Sequence, residues 1–214
     1  MRVLIGCEFS GTVRRAFSAR GHDAWSCDLL PAEDGSNRHF IGDVRDYLHM
    51  DWDLLMVAHP PCTRLCNSGV RWLSSPPSGK TLEQMWEELD AAAELFSDLW
   101  NAPIDRICIE NPVMHKHAKA RIRNYREFAQ SVQPWQFGHG EVKRTCFWLK
   151  NLPPLEPTEI VDGREPRVHH MSPGPERWKE RSRFFKGIAN AMADQWGGLD
   201  VTNPATQIIK TQEL

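Results

Sequence analysis

Two short segments of this 214-residue chain carry residues that could do chemistry together. His59-Pro60-Pro61-Cys62 follows the apolar run Leu54, Leu55, Met56, Val57, Ala58, and Glu110-Asn111-Pro112 follows Ile107, Cys108, Ile109. A thiol nucleophile paired with a carboxylic acid suits covalent catalysis on an electron-poor ring. Each apolar run with turn residues behind it reads as a buried strand of a parallel sheet. In open α/β sheets ligands gather in the crevice beyond the carboxyl ends of such strands. The spacing therefore puts a cysteine and a glutamate at two neighbouring strand ends, where both can face one substrate. Pro60 and Pro61 stiffen the backbone ahead of the thiol and offer no competing amide donors.

The elements that must hold these groups alternate along the chain. Arg2 to Gly6 reads as a strand, Cys7 to Gly11 as a turn, Thr12 to Arg20 as a helix and Gly21 as its C-cap. A second strand runs from Asp23 to Cys27 and ends at Asp28, and a polar loop spans 31–38. His39-Phe40-Ile41 leads into Gly42-Asp43. Residues 59–80 form a long connection, which in a compact domain is usually functional. Thr81 and Gln84 match a capping box, and Leu82, Met85, Trp86, Leu89, Ala93, Phe96 and Trp100 recur at helical spacing as a core-facing stripe. After the strand into Glu110 a basic helix is expected to about Val132. Strand-like stretches at Trp135 to Phe137 and Thr145 to Leu149 follow, then an irregular excursion over 151–175 with six prolines. A last amphipathic helix is expected from Arg183 to Trp196, and a frayed tail beyond residue 200. The alternation predicts one α/β domain over 1–200 with a doubly wound, mostly parallel sheet.

Composition sets bounds on function. The hydrophobic fraction of 41% and charged fraction of 25% are ordinary for a globular protein. No apolar stretch approaches the ~20 residues of a membrane span, so a cytoplasmic protein is expected. Cys7, Cys27, Cys62, Cys66, Cys108 and Cys146 form no CxxC pair, which favours reduced thiols over a metal site. Cys66 reads as a loop or core thiol. His115 and His117 lack accompanying ligands and read as the surface of a helix start, and His169-His170 suggests no role. A net charge of −2 gives no global signature for nucleic acid. Locally, however, Leu54 to Leu82 holds no acid while carrying Arg64, Arg71 and Lys80, an arrangement suited to facing an anion. Trp72 in that stretch could stack on a base or anchor the loop. A second basic run holds Lys116, Lys119, Arg121, Arg123 and Arg126. A third, Arg177 to Lys186, is interleaved with acids and reads as a solvated face.

Phe9-Ser10-Gly11 lies in the first strand-to-helix turn, where close backbone approach to a ligand calls for glycine. Asp28, ending the second strand, is placed to accept hydrogen bonds from a ribose diol. No dinucleotide fingerprint or Walker A motif accompanies them. Taken together, Phe9-Ser10-Gly11, Asp28, Gly42-Asp43, Pro60-Pro61-Cys62 and Glu110-Asn111 occur in the order and rough spacing of the cytosine-5 DNA methyltransferases. The chain resembles that family over about its first 150 residues, and also resembles the small methylase-like proteins of phage and prophage genomes.

The resemblance implies a Rossmann-like S-adenosylmethionine-dependent methyltransferase fold. Phe9, Ser10, Gly11 and Pro60 would shape the cofactor pocket, Asp28 would hold the ribose and Asp43 the adenine amine. Cys62 would attack carbon 6 of a cytosine flipped out of DNA while Glu110 protonates ring nitrogen 3. The surroundings of Arg64 and Arg71 would favour the Cys62 thiolate, and burial would keep Glu110 protonated near neutrality. The family's glutamine and two arginines at alternate strand positions appear here as Glu141, Lys143 and Thr145, with Arg144 adjacent as a substitute. Pro112 stands where the family has valine. The family's target-recognition domain is missing, so DNA contact would rest on Arg64, Arg71, Trp72, Lys80, Arg121 and Arg123, with little sequence preference. The same chemistry on a free cytidine nucleotide, a modified methyl donor, and a degenerate methylase that binds DNA or counters restriction remain open.

Overall fold

Runs of β-branched and other apolar side chains build the centre of the molecule. The computed structural model describes residues 1–199, save 169, 173, 175 and 176. The tail beyond residue 200, and His169 of the His169-His170 pair, lie outside the described residues. Strands β1 (Arg2–Gly6), β2 (Asp23–Asp28), β3 (His39–Ile41), β4 (Leu54–Val57), β5 (Arg106–Asn111), β6 (Gln130–Val132) and β7 (Thr145–Lys150) form one sheet. Its order is β3-β2-β1-β4-β5-β7-β6. β7 runs antiparallel to both β5 and β6, while β3, β2, β1, β4 and β5 pair in parallel. This is a doubly wound, mostly parallel sheet of an α/β fold.

Successive side chains point to opposite faces of a strand, and the core divides accordingly. Leu4, Leu55, Val57, Ile107 and Ile109 pack on the face under α2 (Leu82–Trp100). Val3, Ile5, Leu54, Met56 and Cys108 pack on the other, under α1 (Thr12–Ser18) and α5 (Lys186–Gly197). α2 starts at the expected capping box, with Thr81 accepting from the Gln84 amide and the Gln84 side chain accepting from the Thr81 amide. α1 has no such cap. The buried Glu8 carboxylate instead accepts the amides of Val13 at 2.7 Å and Arg14 at 3.1 Å, satisfying donors that the first helical turn leaves free. α5 lies against α1, joined at the rim by an ion pair of Arg20 with Asp194.

Register places the functional ends level. Gly6 aligns with Cys27 of β2 and Val57 of β4, and Val57 aligns with Ile109 of β5. From β1 the chain builds outward to β2 and β3 on one side and to β4 and β5 on the other. A crevice opens where the direction reverses, beyond the carboxyl ends of the strands.

Three expectations are corrected. The basic stretch after Glu110 is helical only in α3 (Lys116–Lys119). Asn124 takes a left-handed φ of 54°, which breaks a helix, and 130–132 is drawn into the sheet as β6. Trp135 to Phe137 is no strand, because Pro134 opens a 3-10 turn there and has no amide to give a ladder. The last helix begins at Lys186, and a separate helix α4 (Arg177–Ser182) precedes it. Phe184 is buried at the break between them. No helix among the described residues is long and apolar enough to cross a membrane.

Candidate active site

The nucleophile loop leaves β4 at Val57, and its shape is set by bonds to the segment that follows β5. The Cys62 carbonyl accepts the amides of Leu65 and Cys66, both at 3.0 Å, closing one helical turn. The Asn67 amide donates to the Val113 carbonyl and the His115 amide to the Leu65 carbonyl, both at 3.1 Å, and Cys66 bridges Met114 antiparallel. His115 completes the weld. It is 4% exposed, so the expected surface position is corrected. Its Nδ1 accepts the Ala118 amide as the cap of α3, and its Nε2 donates to the Arg64 carbonyl at 2.7 Å. Both roles are filled at once by a neutral ring. Cys62 and Glu110 are thus held in one unit built from two neighbouring strand ends.

Gly69 is required for that turn. A Cβ there would sit 1.9 Å from the Thr63 carbonyl oxygen, a backbone atom that cannot swing away. Gly69→Ala is expected to destabilise the protein by about 1–3 kcal/mol, the usual cost of overpacking. Urea unfolding should report it, and a variant as stable as the parent would show that the loop yields freely.

Glu110 is 7% exposed. Burial pushes its carboxyl up to about 7, with the Lys143 ammonium pulling the other way. Lys143, Thr145, Arg183, Phe184 and Phe185 close around it. The Arg183 guanidinium is already paired with Glu33 at 2.8 Å and Glu180 at 3.0 Å. Arg144 is not brought to Glu110 but stands over the Phe128 ring. Neighbouring strand residues face opposite ways, so Arg144 cannot stand in for the side chain at 145.

Neither Arg64 nor Arg71 activates Cys62, contrary to the expectation from sequence. Arg64 turns to Glu88 at 2.6 Å and Arg71 covers the Trp72 ring at 4.2 Å. The groups felt at Cys62 are Cys66, Glu110 and Lys143. The neighbouring Cys66 thiol, then burial, then the Glu110 charge push its pKa up. α2 also answers the other cations, since Lys80 pairs with Glu88, Arg121 with Asp90 and Arg123 with Asp98. A stretch without acids in sequence therefore meets them in space.

Beside the nucleophile loop lies a cleft of about 260 Å³ at the ends of β1 to β4. Phe9, Asp28 and Leu29, with His59 and Pro61, line it, and Trp178 of α4 lies across it. Asp28 accepts the Leu30 amide at 3.0 Å through Oδ1, leaving Oδ2 for a ligand, and burial pushes its carboxyl up. Leu29 is 75% exposed at the rim, an apolar surface suited to an aromatic base. Gly11 starts α1 with a φ of 67°, a conformation that favours glycine. Ser10 turns inward, its hydroxyl 3.2 Å from Thr12 Oγ1, and Pro60 is buried. Asp43 caps the 3-10 turn Val44–Tyr47 and pairs with Arg45 at 2.6 Å, which holds its carboxyl below the usual range.

Cys66, His59, His115 and Trp178 were not singled out as site residues by sequence. The Cys62/Cys66 spacing of four is the signal that could have found Cys66, since it brings two side chains to one face of a helical turn. His59 Nε2 is buried without a hydrogen-bond partner. Burial and Lys143 hold this ring well below its ordinary pKa, so it is neutral.

No family model and no curated protein matches this chain. Among solved structures it is similar to a candidate DNA modification methyltransferase encoded within an E. coli prophage, at 13% identity and a TM-score of 0.44. The match covers 80% of this chain and 55% of that one, so the chain spans little more than half of that protein.

Proposed function

We propose that this chain is an S-adenosylmethionine-dependent methyltransferase that modifies carbon 5 of cytosine in DNA through a covalent adduct on Cys62, with little sequence preference. The observation that carries this reading is the weld between the Cys62 turn and the segment after Glu110, beside a cleft ending in Asp28. The cofactor fits the residues present. Asp28 has a free oxygen for a ribose diol, Leu29 and Phe9 offer apolar walls to a purine, and the unpartnered Nε2 of His59 meets a polar group. When bound, S-adenosylmethionine supplies an electrophilic methyl group.

The chain's own residues do the rest. Cys62 Sγ bonds to carbon 6 of the ring while Glu110 gives its proton to nitrogen 3, leaving carbon 5 electron-rich. Glu110 is suited to this because burial keeps it protonated up to about pH 7, the range in which a general acid works best at neutrality. Lys143, on the same side, counters the negative charge that Glu110 then carries. Once carbon 5 has gained the methyl group, solvent takes its proton, the C6–S bond breaks to release Cys62, and nitrogen 3 returns its proton to Glu110. Arg64, Arg71, Lys80, Arg121 and Arg123, with Trp72, lie on or near the surface of the α2 side and can exchange their acidic partners for phosphates. Phosphate contacts position DNA without reading its sequence.

The test is incubation with labelled cofactor and, separately, duplex DNA, single-stranded DNA and cytidine nucleotides, with the product identified by mass spectrometry. Label on carbon 5 of cytosine in DNA is expected, spread over sites that share at most about two to three base pairs. Label on a free nucleotide alone would move the substrate out of DNA. Asp28→Ala should weaken S-adenosylmethionine binding by about 1.5–3 kcal/mol, the range for a hydrogen bond to a charged group. Calorimetry showing equal binding by parent and variant would remove Asp28 from the cofactor site.

A further inference from the structure

Helix α4 lies across the cofactor cleft, yet none of its side chains is buried. Trp178 and Ser182 stand four residues apart on it and so share one face, and both line the cleft. Trp178 is 53% exposed, and its ring meets that of Phe9 with centroids 6.0 Å apart and planes tilted by 55°. The far end of the helix is tied to the catalytic side. There Lys143, which lies against Glu110, donates through Nζ to the Arg181 carbonyl at 2.9 Å. The helix thus spans the cleft from Phe9 to the Glu110 enclosure. A second tie follows at once, since both terminal nitrogens of Arg183 reach the Glu33 carboxylate, each at 2.8 Å. The Glu33 amide in turn donates to the Phe9 carbonyl at 3.0 Å. An element that buries no side chain and is tied by polar bonds at its end is the kind that opens locally while the sheet stays closed.

We propose that α4 is a lid on the cofactor, in which Trp178 covers the nucleoside and the Glu33–Arg183 ion pair is the clasp that holds it shut. The proposal rests on the methyltransferase reading and adds to it an element and a residue that bind. The methyl group to be transferred must face Cys62 and Glu110. The nucleoside therefore lies away from them, toward Phe9 and Asp28, and that is the end Trp178 covers. An indole has a broad apolar face, and here much of it is left to water until a base and ribose fill the cleft. The clasp itself is partly exposed on both sides, and exposed ion pairs contribute little and exchange readily with water. A clasp of that strength retains the cofactor during the reaction and still lets the spent thioether leave.

Surface plasmon resonance with S-adenosylmethionine flowing over the immobilised protein tests the lid. Trp178→Ala should bind about tenfold more weakly or worse, the scale of a lost base–aromatic stack, and most of the loss should be faster release. The variant should stay folded, because α4 buries no side chain, and circular dichroism checks that. Trp178→Phe keeps an aromatic face and should recover most of the affinity. Glu33→Gln should speed release about two- to fivefold, the worth of an exposed ion pair. In a chain that already carries Trp178→Ala, the same change should have no such effect, since the clasp then holds nothing over the cofactor. Trp178→Ala with the parent's affinity and release rate would overturn the lid. A Glu33→Gln release rate equal to the parent's, or one raised as much without Trp178, would overturn the clasp. A parent that binds no S-adenosylmethionine would instead overturn the methyltransferase reading on which the lid rests.

Discussion

Cys62→Ala will stop methyl transfer while leaving S-adenosylmethionine binding intact. In the proposed reaction the side chain lost is the one that bonds to the ring, and knocking out a covalent nucleophile costs several orders of magnitude in turnover. The variant should still fold, because the turn it belongs to is closed by the Cys62 carbonyl and not by its thiol. DNA containing 5-fluorocytosine gives the sharper readout. Fluorine blocks removal of the carbon 5 substituent, so the parent should remain covalently attached to it and the variant should not. An alanine variant that is trapped, or that turns over normally, would take Cys62 out of the reaction.

Glu110→Gln should slow turnover by about two to four orders of magnitude, the usual share of a general acid, and should change the pH profile as well. In the parent, kcat/KM should fall as Glu110 ionises near pH 7. Lys143 and Arg183 face the same carboxyl, and Arg183 is already paired. The glutamine variant should lose the alkaline limb. It should also gain stability at high pH. A carboxyl raised from 4.5 to about 7 holds its proton more tightly in the folded state. Its contribution to stability is therefore complete below pH 4.5 and lost as pH rises through 7, a loss of about 3 kcal/mol. Glutamine does not ionise, so urea unfolding at pH 5 and pH 8 should show the parent weakening and the variant holding. A variant that weakens in parallel with the parent would show that Glu110 is not the buried acid.

The central strands were legible because their runs are apolar on both faces, as in Leu54 to Val57, and α2 because Thr81 and Gln84 announce its start. Cys62 and Glu110 followed from those strand ends. What escaped depends on contacts distant in sequence. β6 was hidden inside a basic stretch whose arginines reach across to Asp90 and Asp98, charges that no local pattern pairs with them. The approach of Cys66 to Cys62 depends on a turn held open by Val113 and His115, some fifty residues away. The choice between Thr145 and its neighbour Arg144 is made by the pleat of β7, whose start the sequence does not mark.

The packing of α5 on α1 bears on how the molecule is made. Ile188, Met192 and Trp196 belong to the same buried group as Val13 and Phe17, yet they leave the ribosome some 170 residues later. Until then Phe17 has no cover on that side, and the opening strand and helix wait with an oily flank turned to water. Contacts so far apart in sequence form slowly, and a nascent chain with exposed apolar surface is prone to aggregate. The β1–α1 unit therefore matures well after it is synthesised, and a transcript cut short before Lys186 should yield inclusion bodies in place of a smaller working protein.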